Sequence, residues 1–87
     1  MLRPIWIAEL RWRPGLIGKL GSARGWSKRE VDDALVCRKH QRVREDRDPD
    51  RGLRLLVECT VAGRPATAVL RPTPDVDVFV LVTAYPR

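Results

Sequence analysis

Arg54, Glu58, Arg71 and Tyr85 are the residues whose types and spacing suit chemistry on an anion. Arginine's planar fork grips a phosphate through two hydrogen bonds and stacks on bases. A carboxylate or a phenol can take up and return a proton. Strand periodicity collects these groups, because successive side chains on a strand point to opposite faces. Along 53–61, Leu55, Val57, Cys59 and Val61 share one face, and Arg54, Leu56, Glu58 and Thr60 the other. Along 65–70, Ala66, Ala68 and Leu70 oppose Thr67, Val69 and Arg71. Along 76–85, Val76, Val78, Val80, Val82 and Ala84 oppose Asp77, Phe79, Leu81, Thr83 and Tyr85. The apolar face is expected to receive the helices. The mixed face, with Arg54, Glu58, Thr67, Arg71, Thr83 and Tyr85, is the candidate site. The same residues also have structural uses, with Glu58 pairing to Arg54 or Arg71 across the sheet and Tyr85 capping it.

The charge balance points to a polyanion as well as to solubility. The chain has 87 residues and a net charge of +6, and arginine greatly outnumbers lysine. A balance of this kind fits either a solvated surface or a nucleic-acid or acidic-protein partner. Arg24, Lys28, Arg29, Arg42, Arg44 and Arg64 are the basic residues expected to bind RNA. His40, the single histidine, is a further candidate for proton transfer, or else a solvated loop residue. Two cysteines, Cys37 and Cys59, are too few for a disulfide scaffold and read as buried free thiols. No Cys-x-x-Cys pair accompanies His40, so a zinc site is not expected, and no cofactor is called for. The first residues lack the apolar core of a signal peptide, and no apolar run is long enough to span a membrane. The expected location is the cytoplasm.

A chain of this length makes one small domain, residues 1–87, with a modest core. A short edge strand or an extended lead-in is expected over 3–9, and Pro4 limits a strand there to an edge. A first helix begins near Pro14 with Leu16, Ile17 and Leu20 as its apolar face. The glycines at 15, 18 and 21 weaken it, each by about 1 kcal/mol relative to alanine, and Gly25 ends it. Ser27 and Glu30 then form the S-x-x-E pattern of a capping box, starting a second helix over 28–37. Trp26, just before the cap, is placed to pack on Val31 as a hydrophobic staple. Residues 38–52 are dense in charge, with 41–44 as a strand and Asp48-Pro49-Asp50-Arg51-Gly52 as a turn. The tight turn Ala62-Gly63-Arg64 and the loop 72–75 separate the last three strands. Helices followed by strands read as an α+β plan.

The basic-Gly-x-Ser corner at Arg24-Gly25-Trp26-Ser27, with Glu30-Val31, resembles the helix entrance of BrnT and of the tRNA-cleaving colicin domains. Thr60-Val61-Ala62-Gly63-Arg64 is similar to the Thr-x-x-Gly-Arg hairpin of BrnT-like chains, and Val82-Thr83-Ala84 resembles their closing strand. Together these place the chain near the small ribonuclease toxins that include RelE. That resemblance implies two short N-terminal helices packed on one face of a three- to four-stranded antiparallel sheet. It implies a toxin of a toxin–antitoxin system, acting as a metal-independent endoribonuclease through the 2′-hydroxyl and assembling with a cognate antitoxin. Arg54 and Arg71 would then stabilise the phosphorane charge, and Glu58, His40 or Tyr85 would move protons. Cys59 and Tyr85 stand where BrnT-like chains tend to carry arginine, and their C-terminal extension has no counterpart after Arg87. The alternative is therefore a non-catalytic domain on the same fold that binds nucleic acid or a protein.

Overall fold

The computed structural model describes residues 4–87. Along the chain lie β1 (Ile5–Ile7), β2 (Glu9–Trp12), α1 (Leu16–Arg24), α2 (Lys28–Leu35), β3 (Arg38–His40), β4 (Val43–Asp48), β5 (Gly52–Val61), β6 (Arg64–Pro72) and β7 (Val78–Pro86). The class is α+β, but the sheet differs from the three- or four-stranded antiparallel one expected. It has five strands in the order β2-β7-β6-β5-β4, and β1 and β3 form a separate two-stranded ribbon. Four strands run antiparallel, while β2 lies parallel to β7, which makes the sheet mixed.

The extra strands come from a break in what reads as a single lead-in strand. Of the residues expected there, 3 lies outside the described residues. At Ala8 the chain steps from one sheet to the other, and the N–H groups of Ala8 and Glu9 both donate to the Asp77 carbonyl, at 2.8 and 3.3 Å. Asp77 holds a left-handed φ of 60° at this junction. Ile7 then faces the core from β1, and Leu10 faces it from β2.

Local signals set the helices as expected. Ser27 Oγ accepts the Glu30 N–H at 3.1 Å, and the Glu30 carboxylate accepts the Ser27 N–H at 2.9 Å, closing the capping box. Gly25 ends α1 with a φ of 71°, a conformation that costs glycine little. α2 stops at Leu35, two residues before the expected end. Cys37 then takes a φ of 58° and donates its N–H to the Ile7 carbonyl at 2.6 Å. That turn leaves the Cys37 side chain exposed, which corrects the expectation of a buried thiol. Trp26 is buried and belongs to the same core as Val31.

Both helices pack on one face of the sheet, α1 against β7 and α2 against β5. Leu16, Leu20, Val31 and Leu35 meet Val57, Ala68, Leu70 and Leu81 there. β7 reaches this core differently from simple alternation. Val69 pairs with Thr83 but Leu70 pairs with Leu81, so Val82 is an extra residue in β7. Such a bulge reverses the facing of everything beyond it. Phe79 and Leu81, expected on the mixed face, are therefore core residues at 8% and 0% exposure. Val78 and Val80 take their place on the outer face. Among the described residues no helix is long and apolar enough to cross a membrane.

Candidate nucleic-acid interface

The outer face, opposite the helices, is organised in three cross-strand rows. One row runs Glu58, Thr67, Tyr85, and the Glu58 N–H donates to the carbonyl of Arg42, the residue just before β4. The next runs Arg44, Leu56, Val69, Thr83. The third holds Asp46 opposite Arg54, and Arg71 opposite Val80 and so Arg11. Arg54 and Arg71 are neighbours here, one step beyond the Leu55–Leu70 pair. Arg54 and Glu58 are four positions apart on β5, about 13 Å at the usual strand rise. The middle row is apolar at its centre.

The Glu58 end forms a concavity of about 420 Å³ lined by Arg42, Arg44, Glu58, Tyr85 and Arg87, with Leu56 and Thr67 as floor. Glu58 is held from two sides. Arg87 Nη1 donates to its Oε1 at 2.6 Å, and Arg42 approaches its Oε2 at 4.0 Å. Arg87 also donates through Nε to the Ala66 carbonyl at 3.1 Å, which ties the ion pair to the β6 backbone. Tyr85 is 37% exposed, open enough to meet a base. Thr67 between them is buried.

The opposite end is also basic. Arg13, Arg51, Arg54 and Arg71 line a second concavity of about 460 Å³, with Asp50 and Val82. Arg51 comes from the β4–β5 turn, where the Asp48 carboxylate accepts the N–H groups of Asp50 and Arg51 at 2.8 and 3.1 Å. Those two backbone donors, the Asp50 one first, hold the Asp48 carboxyl below its ordinary value. Arg54 donates to Asp46 at 2.7 Å, and its side chain is 22% exposed.

The sequence-predicted residues divide into three groups. Arg54, Glu58, Arg71 and Tyr85 share the outer face, and Arg44 on β4 and Arg42 just before it border that face. Arg24, Lys28 and Arg29 belong to the helix layer on the other side. Lys28 pairs with Asp32 at 2.5 Å and lies 5.7 Å over the Trp12 ring, so its charge is used within the fold. Trp12 in turn donates its indole N–H to Asp32 at 2.9 Å. Arg64 is exposed in the β5–β6 hairpin, whose turn residues Ala62 and Gly63 both hold positive φ.

His40 stands apart from the outer face. It sits in β3, is buried, and lies with Nε2 2.9 Å from the Leu35 carbonyl. A carbonyl only accepts, so Nε2 carries the proton and the ring anchors the C-terminus of α2. His40 lines a concavity of about 580 Å³ on the helix side with Glu30, Asp33, Arg38, Lys39 and Cys59. Burial pushes the Cys59 thiol up to about 11, so it stays protonated and unreactive near neutral pH.

Arg13, Arg51 and Arg87 were not singled out from the sequence. Arg11 and Arg13 alternate with Leu10 and Trp12, a strand signal that could have been read. Arg51 and Arg87 reach the site only through the turn and the β6–β7 pairing. No family model matches the chain, and no curated protein or solved structure matches it.

Proposed function

We propose that this chain is an RNA-cleaving toxin of the RelE and BrnT kind, acting in the cytoplasm and neutralised by a cognate antitoxin. The observation that carries the reading is the outer face itself. Acid–base groups and guanidiniums share a sheet surface with an apolar centre and an exposed tyrosine. Single-stranded RNA binds such surfaces by stacking bases on aromatic rings while arginines follow the backbone.

The row geometry assigns the parts. Glu58 and Tyr85 lie in one row and share a concavity with Arg42, Arg44 and Arg87. Cleavage through the 2′-hydroxyl needs a base for that hydroxyl, an acid for the leaving 5′-oxygen and cations for the phosphorane charge. In this proposal Glu58 is the base, Tyr85 the acid, and Arg42, Arg44 and Arg87 supply the charge. Arg54 and Arg71, about 13 Å along the strand, hold a neighbouring phosphate instead of the reacting one. His40 takes no part, and the resemblance implies that no metal is required.

A second reading is favoured by one contact. The Arg87 bridge at 2.6 Å already engages the Glu58 carboxylate, which suits a domain that binds RNA without cutting it. Expression and digestion separate the two. The toxin reading expects slowed growth on induction and RNA products ending in 2′,3′-cyclic phosphate, with both effects lost in Glu58→Gln and Tyr85→Ala. Intact RNA, normal growth and salt-dependent binding would leave the binding-only domain.

A further inference from the structure

The concavity at the turn end of the outer face has more positive charge than the fold itself uses. Arg54 gives one donor to Asp46, and its Nε is buried with no hydrogen-bond partner among the described residues. Buried donors are almost always satisfied, so this one calls for an acceptor. Arg13, Arg51 and Arg71 line the same space, and none of them forms an ion pair with a described residue. Four guanidiniums face three carboxylates here, Asp50 in the lining, Asp46 on Arg54, and Asp48, whose charge acts on both Arg51 and Arg54. The surplus is one positive charge. Elsewhere on this surface Arg11 pairs with Glu9 and Asp75, and Arg87 pairs with Glu58.

We propose that this concavity is a site for a phosphomonoester dianion, the terminal phosphate of an RNA strand lying on the outer face. Four forks around one space suit the tetrahedral oxygens of phosphate, which accept paired N–H donors. A monoester phosphate offers three acceptor oxygens beyond its ester link, whereas an internal diester offers two and engages fewer of the four forks. Position argues for a strand end as well. The β4–β5 turn supplies Asp50 and Arg51 to the lining, so a strand running from Tyr85 along β5 meets the turn here. The proposal rests on the outer face being the RNA surface, but the anion site itself can be tested without RNA.

The first measurement is thermal unfolding of the full chain in sodium phosphate against sodium chloride at equal ionic strength. The parent should melt several degrees higher in phosphate. The double variant Arg13→Gln/Arg51→Gln, at two exposed positions, should show no difference between the salts. A parent that ignores phosphate, or a variant that responds as the parent does, overturns the site. The second measurement is the affinity of short single-stranded RNAs ending in a 5′-phosphate, a 3′-phosphate or only hydroxyls, with a non-cleavable backbone. One phosphorylated end should bind roughly tenfold tighter, about 1.4 kcal/mol, and the double variant should lose that preference. Equal affinities for all three overturn the terminal-phosphate assignment. Stabilisation by phosphate with no RNA binding keeps the anion site and removes the RNA reading of the face.

Discussion

At one end of the outer face Glu58 sits between Arg87 and Arg42; at the other, Arg54 forms one ion pair while Arg13, Arg51 and Arg71 form none with a described residue. The two ends use the same residue type, on the same sheet, and both are net positive, but they are paired differently. A paired arginine orients a carboxylate. A cluster without ion pairs keeps its donors open to an anion. Neighbouring arginines therefore say little about function until their partners are known. Here the pairing separates an end with an oriented carboxylate from an end with open guanidinium donors.

The comparison first requires that both ends lie on one face, which depends on the bulge at Val82. Phe79→Ala should cost about 3–5 kcal/mol, the usual range for a buried aromatic, whereas Val80→Ala on the outer face should cost less than about 1.5 kcal/mol. Urea unfolding of the two variants checks this, and similar losses would put the rows of β7 in the wrong phase. Next, the ends should separate kinetically. Tyr85→Phe should lower kcat by roughly a hundredfold or more with KM little changed, the usual size of an acid–base contribution. Arg54→Gln with Arg71→Gln should instead raise KM and leave kcat near the parent value. A matching fall in kcat for both variants would merge the two ends into one site.

The smallest expected effect concerns the turn. Asp48 accepts two backbone N–H groups, and its carboxyl is held low. A carboxyl lowered on folding adds stability above its unfolded value, and that stability is lost as pH falls through the lower folded value. Amide exchange at Asp50 and Arg51 should thus stay protected through the ordinary carboxylate range and speed up only below it. Loss of protection well above that range would mean that Asp48 does not fix Arg51 in place.

What could be read from the sequence was local. The capping box at Ser27 and Glu30, the cap at Gly25 and the turn after Asp48 each need only a few neighbouring residues. Alternation along β5 and β6 identified the core and outer faces because those strands pair without interruption. What could not be read depended on partners distant in sequence. Nothing within residues 9–12 says that they pair parallel with β7, and nothing within 38–40 says that they pair with β1. The bulge was hidden for a related reason. An extra residue leaves the composition of β7 unchanged while exchanging its faces, so Phe79 and Leu81 appeared on the wrong side. Cys37 was misplaced by a single left-handed residue. Of the site, Arg54, Glu58, Arg71 and Tyr85 were found by alternation, while Arg51 and Arg87 needed the folded chain.

β4, at the far side of the sheet, reads Val43-Arg44-Glu45-Asp46-Arg47-Asp48. A sheet's last strand is where a second chain can be added. Five of the six side chains of β4 are charged, and a strand laid against them would have to desolvate those charges. The composition of this edge thus works against fibre growth.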